Sequence, residues 1–283
     1  MVGLITLRPP PEGLGMKRAL AALTLIALLI CAITPVASFA QGALARIVER
    51  GELRVGTSGA QPPFSVKSKD GTLIGFEIDV ATLLARAMEV ELTLVEKPFG
   101  ELMDALAEDE VDLIMSGMTM TPQRNLRAAF VGPYIVSGKS VLTKDATIAR
   151  IEDVGDLDTA SLTVVVLAGS TSQRLVERQL TKATLVTVPE YDSGVAMVID
   201  GSADLMIADY PICVLSVLLH GDKGLVTLAE PMTIEPIGVA ISPDDSLLLN
   251  LVENYLGALE AIGVFAELEV KWFDDPAWLA ELP

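Results

Sequence analysis

Between Leu162 and Leu228 short apolar runs alternate with amphipathic helical patterns, and this rhythm limits the architecture more than any other feature. The runs at 162–167, 184–188, 204–207 and 225–228 have strand length, and the helical patterns between them cover 172–179, 192–200 and 211–219. The first half has the same rhythm: strand Leu53–Gly56, helix Glu77–Met88, strand Leu92–Val95, helix Glu101–Glu108 and strand Val111–Met115. Val80, Leu83, Leu84, Ala87 and Met88 fall on one face of the first helix. A turn-rich section then runs to Pro133. After Leu228 come a strand at Ile237–Ile241, a long helix at Asp244–Ile262 and a shorter one near Val264–Trp272. Such alternation specifies an α/β fold with mostly parallel sheet.

A chain of 283 residues suits one large or two medium domains, and 51% apolar content supplies a core. The net charge of −18 argues against nucleic acid as a partner, because a phosphate backbone needs a basic face. The one histidine, His220, stands before Gly221 at a helix end and reads as structural. Neither a histidine-rich metal site nor a cofactor motif is present. No lysine follows Gly169-Ser170-Thr171 in the nucleotide-binding pattern.

Lys17 and Arg18 precede an apolar run from Ala19 to Ile33, and Ser38-Phe39-Ala40 supplies small residues for cleavage. This is the pattern of a secretory signal peptide. Residues 1–40 are therefore expected to be an N-terminal extension and leader, with Met16 competing with Met1 as the start. They carry Arg8, Lys17, Arg18 and Glu12, so cleavage leaves 17 basic and 37 acidic residues and a net charge of −20. Cleavage also removes Cys31, which leaves Cys213 with no partner for a disulfide.

One internal echo stands out. Val111-Asp112-Leu113-Ile114-Met115 and Ala203-Asp204-Leu205-Met206-Ile207 each follow an amphipathic helix. They read either as two ordinary helix–strand units or as the matching parts of two similar lobes. Ligands bind at strand ends in open α/β sheets. After the first echo strand, Gly117 allows close backbone approach, Thr119 offers a hydroxyl and an amide, and Thr121 caps a turn opening with Pro122. Arg124 then falls in a first helical turn, where a cation is unfavourable next to the dipole, and it reads as a carboxylate ligand or as a surface arginine on a turn. Gly169-Ser170-Thr171 reads as an anion-ready helix start or as ordinary capping. Asp209, closing the second echo strand, reads as an ammonium ligand or as a cap before Pro211. By physics alone, Gly75-Phe76-Glu77-Ile78-Asp79-Val80 reads as a structural helix start.

Together these segments resemble the family 3 extracellular solute-binding proteins, the polar amino-acid binders of bacterial ABC importers. Gly75 to Val80, then Leu84, Ala85 and Met88, match the signature of that family, and the resemblance covers residues 44–273. It implies a two-lobed, type II periplasmic-binding-protein fold. Residues 41–138 plus 232–283 would form lobe 1 and residues 139–231 lobe 2. Crossing strands are expected near Tyr134–Gly138 and Met232–Pro236. Matching positions put Arg124, Thr119 and Thr171 on a ligand α-carboxylate, Asp209 and the Gly117 carbonyl on its α-ammonium, and Phe99 against the ligand. Ser58 and Gln61 stand at ligand-facing positions where many members carry an acid and an aromatic, which weakens the case for a cationic ligand. The resemblance implies an amino acid as ligand, an ABC-transporter membrane permease as partner and the periplasm as location, with no catalysis, cofactor or metal. The alternatives are a cyclohexadienyl (arogenate) dehydratase-like enzyme, which needs a placed acid in the cleft, and a sensing subunit that docks on a membrane receptor.

Overall fold

The computed structural model describes residues 42–283 apart from Glu152. The expected leader, the Met16 start and Cys31 lie outside the described residues. The strands are β1 (Glu52–Thr57), β2 (Ala60–Gln61), β3 (Ser65–Lys67), β4 (Leu73–Ile74), β5 (Glu91–Glu96), β6 (Leu113–Ile114) and β7 (Ala129–Ser137). There follow β8 (Lys139–Thr143), β9 (Thr163–Leu167), β10 (Thr184–Val188), β11 (Leu205–Asp209), β12 (Val226–Thr227) and β13 (Glu235–Ile241). The α-helices are α1 (Ala43–Arg50), α2 (Phe76–Ala87), α3 (Leu102–Ala107), α4 (Pro122–Asn125) and α5 (Thr171–Gln179). The last four are α6 (Tyr191–Asp200), α7 (Tyr210–Leu219), α8 (Ser246–Ala261) and α9 (Val264–Glu269).

Two five-stranded sheets share one plan. The first has the order β5-β1-β6-β13-β7 and the second β10-β9-β11-β8-β12. In each, a first strand lies between two parallel neighbours: β1 between β5 and β6, and β9 between β10 and β11. This parallel trio is what the strand–helix rhythm predicts. Each sheet then adds two antiparallel strands, so the sheets are mixed. Those added strands come from the chain's passage between the sheets. It leaves the first sheet after Ser137, enters the second at Lys139, and returns between Thr227 and Glu235. Gly138 makes the first passage tight: a Cβ there would lie 2.1 Å from the Thr233 carbonyl oxygen on the returning segment.

The echo strands occupy equivalent places, β6 beside β1 and β11 beside β9. Each is pinned by the same reciprocal clamp. The Asp112 amide donates to the Arg54 carbonyl (2.8 Å), and the Arg54 amide donates to Asp112 Oδ2 (2.8 Å). In the second sheet the Asp204 amide donates to the Thr163 carbonyl (3.0 Å), and the Thr163 amide donates to Asp204 Oδ2 (2.7 Å). The two-lobe reading of the echo therefore has a shared hydrogen-bond pattern behind it. Asp112 also pairs with Arg50 and Arg54. Asp112→Ala is expected to cost about 2 kcal/mol, because it orphans a strand amide and uncouples two arginines. An unchanged midpoint in urea unfolding would show that the clamp contributes nothing.

Each sheet has its own buried core. Leu53, Val55, Val80, Leu84, Leu113, Val239 and Leu248 pack in the first, and Val141, Val164, Val166, Val176, Leu205 and Ile207 in the second. A further buried cluster joins the two sides, running from Leu102, Ile114, Phe99 and Met118 to Leu167, Tyr191 and Met206. Helix α2 starts where Gly75 adopts φ +142°, and a Cβ there would lie 2.2 Å from the Phe64 carbonyl oxygen. Only glycine lets the chain enter the helix this close to the small β2–β3–β4 sheet. From this start, Phe76 is driven into the core against Tyr134 and Phe265.

Candidate ligand site

The site sits where loops following strands of both sheets meet. After β6 the chain turns through Gly117, whose φ is +56°. Thr121 caps α4, its hydroxyl accepting the Arg124 amide (3.2 Å), with Pro122 opening the helix as its spacing predicts. This short capped turn aims the Arg124 side chain inward, where the residue is only 4% exposed. The guanidinium donates to the Thr119 carbonyl (2.9 Å) and, across the cleft, to the Gly169 carbonyl (3.2 Å). It also lies over the Phe99 ring, 5.4 Å from its centroid. Thus Arg124, the Thr119 carbonyl and the Phe99 ring come together. Burial, then the neighbouring Arg174 charge, pulls the Arg124 pKa down to about 10.

The opposing loop approaches closely. Gly169 has φ +74°, and a Cβ on it would sit 2.8 Å from Gly100 Cα. Ser170 caps α5 by accepting the Gln173 amide, while Gln173 Oε1 accepts the Gly169 amide. Thr171, expected beside Arg124, instead donates its hydroxyl to Glu235 on β13 (3.1 Å).

Asp209 is 3% exposed at the end of β11. It holds the N-cap position of α7, but its side chain makes no capping bond. Instead Oδ1 accepts from Lys139 Nζ (2.7 Å), and Oδ2 accepts from the Tyr191 hydroxyl (3.3 Å). Lys139 Nζ is also 4.0 Å from Glu235. Asp209 thus meets an ammonium, and that ammonium belongs to the protein. Sequence reasoning missed Lys139, Tyr191 and Glu235. The available signal was a lysine opening the otherwise uncharged strand Lys139-Ser140-Val141-Leu142-Thr143, all of it buried.

Ser58 and Gln61 belong to a neutral network. Gln61 Oε1 accepts from Ser58 (3.0 Å) and from Ser116 (2.7 Å), and the Ser58 amide donates to Ser116 (3.0 Å). A Cβ on Gly117 would lie 3.1 Å from Gln61 Nε2, so this amide rests against the Gly117 backbone. Behind the turn, buried Glu77 accepts the Gly117 amide with both oxygens (2.8 and 3.0 Å) and is bonded by the Tyr134 hydroxyl. Burial pushes the Glu77 pKa up to about 7, against the lowering effect of these donors. The signature acid therefore supports the turn from behind.

The chemistry on offer is recognition of polar, charged groups. Buried guanidinium, hydroxyl and carboxylate groups converge from both sheets, and each acid named here already has a hydrogen-bond donor. Among the described residues no group of three or more His, Cys, Asp or Glu is placed to hold a metal ion. Cys213 is a free, buried thiol, with burial raising its pKa to about 12.

Known proteins place this arrangement. Residues 53–275 match the family model of the bacterial extracellular solute-binding proteins, family 3. The cyclohexadienyl dehydratase of Pseudomonas aeruginosa is 29% identical over 231 residues, 82% of this chain and 86% of that one. The ABC transporter arginine-binding protein 1 of Escherichia coli is 27% identical over 243 residues, 84% of this chain and 95% of that one. The crystal structure of a binding component of an ABC transporter from Wolinella succinogenes, complexed with lysine, superposes with a TM-score of 0.77 at 38% identity, covering 82% of this chain and 99% of that one. The chain belongs to the bacterial extracellular solute-binding proteins, family 3.

Proposed function

We propose that this protein is a periplasmic, non-catalytic receptor that captures an amino acid between its two lobes and delivers it to the membrane permease of an ABC importer. The observation that carries the reading is Arg124. Its charge is buried, stacked on Phe99 and bonded only to carbonyl dipoles, and it bridges one lobe to the other. A buried guanidinium in that state calls for a carboxylate, and a bidentate pair would join both lobes around it. Thr119 and Thr171 would complete the carboxylate site. Asp209, with Glu235 beside it, would supply the negative field for the ammonium, with the Gly117 carbonyl as a further acceptor. Contacts made only when the lobes meet would stabilise the closed form that a permease reads. Residues 1–40 would act as the export signal and be removed.

The dehydratase relative raises the enzymatic alternative. Against it, Asp209 is held by Lys139, and Glu235 accepts from Thr171 and Thr233 (3.3 Å), so neither acid stands ready to protonate a leaving hydroxyl. The test is thermal unfolding and calorimetric titration of protein refolded to strip ligand, against the amino acids and arogenate. At a thousandfold excess over Kd a true ligand adds about 4 kcal/mol to stability. Arg124→Ala is expected to weaken binding about 100-fold, since one charge-assisted pair is lost. Binding that ignores Arg124→Ala, or catalytic conversion of arogenate, would overturn the proposal.

A further inference from the structure

Resting on that reading, we infer that the ligand is a net anionic amino acid, an α-amino dicarboxylate, whose second carboxylate is met by Arg174. The argument is a charge balance of the cleft. Asp209 and Glu235 are two acids around one buried cation, Lys139. That node keeps one uncompensated negative charge, enough for one ammonium. On the other side lie Arg124 and Arg174. Arg124 donates only to carbonyl oxygens. Arg174, half-buried on the first turn of α5, has no hydrogen bond or ion pair among the described residues. The two are close enough for the charge of Arg174 to depress the pKa of Arg124, while Asp209 and Glu235 act on it in the raising sense. Arg124, Arg174 and Lys139 against these two acids leave one excess positive charge.

Both line one cavity of about 310 Å³ together with Phe99, Met118 and Gly169, and no acid lines it. That volume is at the lower end for small-molecule sites. Arg127 at the same rim is already neutralised by Asp104, which leaves Arg124 and Arg174 as the lining cations that form no ion pair among the described residues. Glu77 lies behind Gly117, with its oxygens taken by the Gly117 amide and the Tyr134 hydroxyl. In a chain of net charge −18, two neighbouring arginines without an ion pair are not a product of composition. They prepare the site for two carboxylates, while the Lys139 node carries the negative charge for one ammonium. A cationic side chain in this cavity would face two guanidinium groups with no carboxylate in the lining, and like charges at such range discriminate strongly.

The experiment is calorimetric titration of the ligand-stripped protein with glutamate, aspartate, glutamine, asparagine, arginine and lysine. Glutamate or aspartate is expected to bind at least about 10-fold tighter than its amide, and arginine and lysine weakest. Arg174→Ala should reduce that acid-to-amide ratio to near one while leaving the amide's affinity in place, and Arg174→Lys should retain part of the ratio. Arginine or lysine binding as tightly as glutamate, or a ratio unmoved by Arg174→Ala, would overturn this inference alone, provided that binding still requires Arg124. Binding of none of these ligands would overturn it together with the proposed function.

Discussion

Replacing Asp209 with alanine is expected to destabilise the folded protein by about 3–5 kcal/mol, the largest loss for any single side chain in the cleft. Lys139 and Asp209 are 1% and 3% exposed, and their charged atoms are 2.7 Å apart. Removing the aspartate leaves the lysine ammonium buried, with Glu235 at 4.0 Å as its remaining acid. At 1% exposure that ammonium has almost no contact with solvent. The same physics predicts a non-additive pair. Lys139→Met alone strands the carboxylate, with the Tyr191 hydroxyl as its remaining donor. The double variant Lys139→Met with Asp209→Leu removes both charges and fills the space, so it should recover most of the loss. Urea unfolding of the three variants at pH 7 measures this. If Asp209→Ala costs less than about 1 kcal/mol, the pair behaves as a solvated surface bridge and not as a buried one.

The same pair marks where local sequence stops being informative. Strand–helix rhythm located the parallel trio of each sheet, because apolar periodicity is a local property and each of those strands is flanked by a helix that reads clearly. The Thr121-Pro122 cap and the inward Arg124 were legible for the same reason. Strand β7 was legible only after Pro133, and there through the family resemblance, since Gly132-Pro133 inside it reads as a break. In the structure β7 is the edge of its sheet, where a proline with no amide to donate is tolerated. The small β2–β3–β4 sheet is built from strands of two or three residues, too short to show a period. Lys139 and Asp209 lie 70 residues apart and meet only through the antiparallel β11–β8 ladder, which aligns them directly. No spacing rule could pair them before that ladder was known. For Glu77 the residue was found and its role only half read. A first-turn acid suggests the helix dipole, whereas this one faces the core and holds the Gly117 turn.

Glu77 supports the second large prediction, a fall in stability as pH rises from about 4.5 to about 7. An unfolded glutamate loses its proton near 4.5, and in the folded protein burial holds the proton on Glu77 until about 7. Between those values the native state binds more protons than the unfolded state, so stability decreases with pH. Below the window both states are protonated, and above it both are ionised and the whole penalty is present. The gap corresponds to about 3 kcal/mol. Asp70, Asp145, Asp158, Asp200 and Asp222 act in the opposite sense, held below their ordinary value by hydrogen-bond donors, so their contribution is lost only in stronger acid. Glu269 is raised, chiefly by burial and also by Glu260 and Asp274, and adds to the fall. Glu77→Gln separates the contributions. Glutamine mimics the protonated acid: Oε1 accepts the Gly117 amide and Nε2 donates to the Tyr134 oxygen. The variant should match the parent near pH 4.5 and exceed it by up to about 3 kcal/mol at pH 8. Parallel stability profiles for the two proteins would mean that Glu77 ionises as freely as in the unfolded chain, and that the Gly117 turn is held by something other than a buried acid.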